Sequence, residues 1–186
     1  MPDIYNQKDL EKWLVRNGID TSQWGISGTK SVTNLWDELV NGDIQLLDDP
    51  PRRSVHVVEV KIRKGHYVLQ ELEQEFGNGE RRVRNRLPSE KMKPSENCMI
   101  AAVRCLKEEI GVDEKDVSFI DPNCEQVRKL TNDSPSYPGL STKYTFHTVT
   151  VEVDGLPDTE TDFWRHNAAY AFGDPVKRHH WVWKLM

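Results

Sequence analysis

The order of elements predicts a mixed α/β sandwich with a short helical extension at the N-terminus. Three observations carry this. Two strand-like stretches, residues 54–63 and 67–76, open the main domain. One long helix follows over about residues 95–110, with good helix formers at Ala101, Ala102, Leu106 and Lys107 and a stop at Gly111. β-branched and aromatic runs come after it, led by residues 142–153. Strands on either side of a single helix suit a sheet with helices packed on it.

The N-terminal 50 residues read as two short helices. Leu10, Trp13 and Leu14 share one face over residues 7–16, and Gly18 ends that segment. Residues 20–28 read as a loop, with Trp24 as a buried plug. Val32, Leu35, Trp36 and Leu39 line one side of a second helix over residues 31–40. Two short helices cannot bury enough surface alone, so they are expected to pack on the rest of the protein through their tryptophans. They serve either as a structural brace or as a partner-docking or substrate-covering element. The run DDPPRR at residues 48–53 reads as a break, because consecutive prolines remove backbone donors and favour extended chain. The expected organisation is therefore an extension over residues 1–50 and a domain over residues 54–186.

Within that domain, residues 54–63 and 67–76 read as strands, although the Leu, Gln and Glu content of the second also allows helix. Residues 77–79 are a turn, and 80–87 complete a hairpin. Arg82, Arg84 and Arg86 alternate along this arm, so a strand puts all three on one face. Such a row suits phosphate recognition by planar guanidinium forks; the alternative is a solvated face that deters edge pairing. Beyond the long helix, residues 116–120 read as a strand, 123–130 as strand or loop, and 131–141 as turns. Residues 142–153 form the clearest strand. An acidic loop leads to Phe163 and Trp164, and residues 179–183 close with another strand. Trp181 and Trp183 share one of its faces, either in the core or free to stack on a base.

The chain is 37% apolar and 30% charged, with six Trp and five Phe to fill a core and a net charge of −5. The charge is uneven. Residues 1–50 hold four basic and nine acidic side chains, whereas residues 51–93 hold eleven and six. The acidic start argues against a DNA-binding module, and the basic middle is where an anionic partner would sit. Three cysteines, Cys98, Cys105 and Cys124, without a C-x-x-C pair, suggest neither a disulfide framework nor a zinc site. A reducing compartment is the simple reading. No signal peptide or membrane-length apolar run is legible, so a cytoplasmic location without membrane contact is expected.

The chemistry gathers at residues 87–112, LPSEKMKPSENCMIAAVRCLKEEIGV. Arg104 and Glu108 are four apart and can pair. Glu108 and Glu109 are adjacent carboxylates near a helix end, a start for a Mg²⁺ site built from oxygen donors, waters and substrate phosphates. The stretch resembles the box of the Nudix hydrolases, G-x5-E-x7-R-E-U-x-E-E-x-G-U with U apolar. Glu96, Arg104, Leu106, Glu108, Glu109, Gly111 and Val112 stand at the matching positions. Glu90 replaces the opening Gly, and Cys105 replaces the first Glu of the Arg-Glu pair.

The resemblance implies a Nudix-like mixed-sheet fold with the box helix against the sheet. It implies Glu108, Glu109 and Arg104 as the catalytic group, with Glu96, Glu108 and Glu109 as metal ligands. Arg82, Arg84 and Arg86 are the candidate ligand-binding row. In the family the Glu replaced by Cys105 is a principal metal ligand, and soft sulfur is a poor substitute for magnesium. Mg²⁺ or Mn²⁺ is thus expected to bind weakly. The function expected is an impaired catalytic site that binds a nucleotide, a diphosphate-containing ligand or a protein partner. The alternative is a divergent pyrophosphohydrolase acting on nucleoside diphosphate derivatives.

Overall fold

The computed structural model describes residues 2–26, 28–131 and 134–186. Residue 27 of the predicted loop at 20–28, and residues 132 and 133 of the predicted turns at 131–141, lie outside the described residues. The chain divides into two compact units. One comprises Met1–Val57, Lys91–Ser95 and Gln126–Phe146, and the other Val58–Glu90, Glu96–Glu125 and His147–Met186.

In the first unit, helix α1 spans Gln7–Arg16 and helix α2 spans Val32–Val40. Asn6 caps α1 by accepting from the Asp9 amide, and Ser31 and Asn34 form a reciprocal capping box on α2. The faces predicted for both helices supply the core. Leu10, Trp13, Leu14, Trp24 and Leu35 pack with Ile44, Leu46, Val55, Tyr137 and Leu140. The helices therefore share their core with residues from far along the chain. Trp24 is the expected plug: its indole donates to the Pro138 carbonyl at 2.9 Å and its ring lies 5.1 Å from that of Tyr137.

The run at residues 48–53 holds the turn of a hairpin. Strand β1, Gln45–Asp48, turns tightly into strand β2, Pro51–Lys64, with Asp48 opposite Pro51 and Gln45 opposite Ser54. Proline fits here because the first residue of a strand need not donate to the ladder.

The second unit carries most of the sheet. The remaining strands are β3, Tyr67–Phe76; β4, Arg81–Arg86; β5, Ser89–Lys91; β6, Val117–Thr131; β7, Thr142–Val153; β8, Phe163–His166; and β9, Val176–Leu185. The order is β6-β7-β2-β3-β9-β8, with β1 and β5 also on β2 and β4 also on β3. Strands β2, β5, β6 and β7 begin in one unit and end in the other. The ambiguous stretch at 67–76 is strand, and the stretch at 123–130 is the continuation of β6. β3 pairs antiparallel with β9 along its whole length, and Trp181 and Trp183 are buried, in the core rather than free to stack.

Helix α3 spans Cys98–Glu109, three residues shorter at its start than predicted. Asn97 is the cap, accepting from the Ile100 amide at 2.9 Å, because its short carboxamide reaches the exposed donors of the first turn. The helix buries Ala101, Ala102, Cys105 and Leu106 completely, the stripe its periodicity requires.

Cys98 and Cys124 form a disulfide joining the start of α3 to β6, with Cα atoms 6.6 Å apart. This corrects the reading of three unpaired thiols. Cys124 lies on a neighbouring strand, a proximity that sequence spacing does not reveal. It also removes the cysteine argument for a reducing compartment, since such bonds persist where conditions are oxidising. Among the described residues no helix is long and apolar enough to cross a membrane.

Candidate ligand and metal site

The site forms at the C-terminal end of α3, within the second unit. Arg104 organises one side of it. Its Nε donates to Glu96 Oε1 at 2.7 Å and its Nη2 to Glu96 Oε2 at 2.9 Å, a two-pronged grip on the carboxylate just before the helix. Its Nη1 donates to Glu108 Oε2 at 3.1 Å, the pairing that the four-residue spacing predicts. The hydrogen bonds to Glu96 push the guanidinium further above its already high range. Glu108 is half exposed.

Glu109, one residue on, faces elsewhere. Its Oε2 lies 3.4 Å from Nδ1 of His179 on β9, and the same nitrogen lies 2.5 Å from Oε1 of Glu71 on β3. Glu71 and His179 are both buried. The other oxygen of Glu71 accepts from Arg84 Nε at 3.2 Å. One ligand atom from each of Glu71, Glu109 and His179 lies within 4.8 Å of the others, close enough for one ion to touch all three.

The electrostatics follow from this geometry. Burial raises Glu109 to about 7, against the pull of His179. Burial is the largest influence on both Glu71 and His179 and opposes their charged forms, but their mutual hydrogen bond and the attraction of neighbouring opposite charges together outweigh it, so Glu71 is held below its usual range and His179 above its own. Cys105, sealed beneath the helix end, has its thiol pushed well up by burial and stays neutral.

The arginine row is only partly continuous. Arg82 donates to Gln74 Oε1 at 2.5 Å and lies over the Phe76 ring, while Arg84 is drawn to Glu71. Between them and Arg86 the β3–β4 register shifts, from Glu73 opposite Val83 to Glu71 opposite Arg86, and Asn85 takes a positive φ of 48°. That kink breaks the alternation, so Arg86 leaves the row. Its charge acts on Glu59.

A cavity of about 340 Å³ opens at the helix end, and Arg82, Glu108, Glu109, Gln74, Asn167 and His179 are on its walls. Of the residues expected from sequence, the structure brings Arg82, Glu108 and Glu109 to this cavity, while Glu96 and Arg104 bind each other beside it. Glu90 also lines it. Sequence reasoning missed Glu71 and His179, which stand 108 positions apart. The only signal was the His179–His180 pair on a predicted strand, where alternation sends one ring inward.

These features define a Nudix domain. The NUDIX domain family matches residues 50–181, most of the chain, and the chain belongs to that family. Its mixed α/β fold, with N-terminal helices, is the expected one. Solved structures of similar fold include an Ap4A hydrolase from C. elegans, with 13% identity, 71% of this chain and 80% of that one covered, and a TM-score of 0.39. A MutT protein from Bacillus halodurans has 15% identity, 70% and 68% coverage, and a TM-score of 0.39. The E. coli ORF135 protein has 15% identity, 75% and 77% coverage, and a TM-score of 0.38. No curated protein sequence matches the chain. Nudix proteins typically use a divalent metal.

Proposed function

We propose that this chain is a Nudix domain that binds a nucleotide or another diphosphate-containing ligand, with its hydrolytic centre impaired. The observation that carries this reading is Cys105. It stands where the box has its first paired Glu, it is completely buried, and its thiol is neutral. An oxygen donor is thus replaced by a sealed sulfur, and two of the remaining carboxylates, Glu96 and Glu108, are bound to Arg104. Losing one charged ligand of three weakens a hard ion markedly. Recognition has kept more of its parts. Arg82 reaches the cavity wall, and its planar fork suits a phosphate. A small anionic ligand is favoured over a protein partner because the arginine sits in a cavity rather than on a flat face.

The second reading, a divergent hydrolase of nucleoside diphosphate derivatives, is favoured by one observation: the Glu71, Glu109 and His179 group. One experiment separates the two. ADP and inorganic pyrophosphate are titrated calorimetrically into the protein with Mg²⁺ or Mn²⁺, and phosphate release is followed for the native chain and for Cys105→Glu. Binding without release, with release appearing in Cys105→Glu, supports impairment. Brisk release by the native chain that vanishes in Glu109→Gln establishes the hydrolase.

A further inference from the structure

The Cys98–Cys124 bond joins two segments that bury almost nothing of their own. Cys98 is the first residue of α3, and neither it nor Met99 nor Ile100 is buried; the apolar stripe of the helix begins only at Ala101. Cys124 stands on β6, the end strand of the sheet order, and no described side chain of β6 is buried. Both cysteines are half-buried, within reach of a small thiol, whereas Cys105 is completely buried and stays out of any exchange. The bond also sits at the head of a chain of contacts. Asn97, just before it, caps the helix, and Glu96, one residue earlier, gives both oxygens to Arg104. Arg104 in turn holds Glu108, which is on the cavity wall.

We propose that the Cys98–Cys124 bond is a redox switch on the start of the box helix. Closed, it pins the first turn of α3, so that Glu96 and Arg104 keep their two-pronged pairing. Open, that turn frays, Arg104 loses its hold on Glu96, and Glu108 loses its fixed position at the cavity wall. Opening needs a dithiol reductant. One thiolate of the reductant attacks a sulfur of the pair, the S–S bond breaks and a mixed disulfide forms; the second thiolate then displaces the protein sulfur. Two electrons and two protons pass to Cys98 and Cys124, which end as thiols, and the reductant leaves as its own disulfide. The opening is local, because Ala101, Ala102, Cys105 and Leu106 still anchor the rest of the helix in the core. A bond that acted only by restraining the unfolded chain would leave the native turn unchanged when cut. Here the turn has no buried side chain of its own to keep it in place.

The switch needs no bound ligand, so it is tested on the full chain alone. The ¹⁵N-labelled protein is studied by NMR as oxidised, then with dithiothreitol, then after reoxidation with oxidised glutathione. On reduction, the backbone order parameters of Cys98, Met99 and Ile100 are expected to fall from about 0.85 to below about 0.6, while those of Ala102 to Leu106 hold. The Arg104 Nε–H signal is expected to move toward the position of a free guanidinium as its bond to Glu96 is lost. Reoxidation should reverse both changes. Cys98→Ser should show the reduced pattern without reductant and ignore dithiothreitol. An equally rigid first turn and an unmoved Arg104 signal in the two states overturn the proposal, as does a response of Cys98→Ser to dithiothreitol. Unfolding of the whole chain on reduction would make the bond a structural staple and overturn it too.

Discussion

Glu38 offers a quantitative test of how the first unit is held together. This carboxylate is 6% exposed, yet it faces three cations: Lys30 at 2.5 Å, Arg53 at 2.7 Å and Lys91 at 2.9 Å. Burial alone would raise its pKa, but the attraction of Arg53 and the two lysines wins and takes it from 4.5 to about 2. At ~1.4 kcal/mol per pKa unit, that shift stabilises the folded chain by about 3 kcal/mol. The folded pKa lies below the unfolded one. The contribution is therefore complete above about pH 4.5, fades as protons bind the unfolded carboxylate first, and is lost by about pH 2. Glu38→Gln keeps the shape and removes the charge, leaving Arg53 buried without its counterion. Urea unfolding of both proteins, followed by tryptophan fluorescence between pH 7 and pH 2.5, gives the comparison. The variant is expected to be less stable by about 3 kcal/mol at pH 7, with the gap closing steadily below pH 4.5. Parallel curves with a constant gap would show that Glu38 acts through packing and refute the electrostatic account.

Three further outcomes are expected. Without reductant, the unfolded chain should show one titratable thiol, Cys105, and Cys98→Ser should lower stability by about 3.5 kcal/mol, the chain-entropy value for closing a loop of 26 residues; three reactive thiols would remove the bridge. Asn97→Ala should cost roughly 1 kcal/mol in thermal or urea unfolding by uncapping α3, with Asn97→Asp close to native. Gly42→Ala should cost on the order of 1–3 kcal/mol, because φ there is 74° and the added methyl would collide with Pro94 Cγ; an unchanged melting temperature would contradict this account.

What was legible in the sequence was what repeats along one segment. The faces of α1 and α2 and the strand at Thr142–Val153 each follow from local periodicity, and each appears as read. The box spacing placed Arg104 beside Glu108 because an α-helix brings fourth neighbours together whatever surrounds it. α3 starts three residues later than the periodic run predicts because the donors of its first turn are met by Asn97. Pairings between distant segments were not legible. Nothing in residues 98 and 124 announces a disulfide, and nothing in residues 10–14 announces that Tyr137 and Leu140 will complete their core.

The site shows most directly why sequence reasoning fell short. Strict alternation along β3 would put Glu71, Glu73 and Glu75 on one face, a row of three solvated acids. The register against both neighbouring strands instead shifts between Glu71 and Glu73. After the shift, Glu71 and Gln74 are both buried, and Glu71 meets His179. A bulge adds one residue to the strand and changes which side chains face inward beyond it. It leaves no mark in composition or period. The local irregularity of the sheet is thus what brings the buried Glu71 to His179, which also lies beside Glu109. Glu109 is the one box carboxylate that faces both His179 and the cavity, and so the residue where the family's motif and this chain's own arrangement meet.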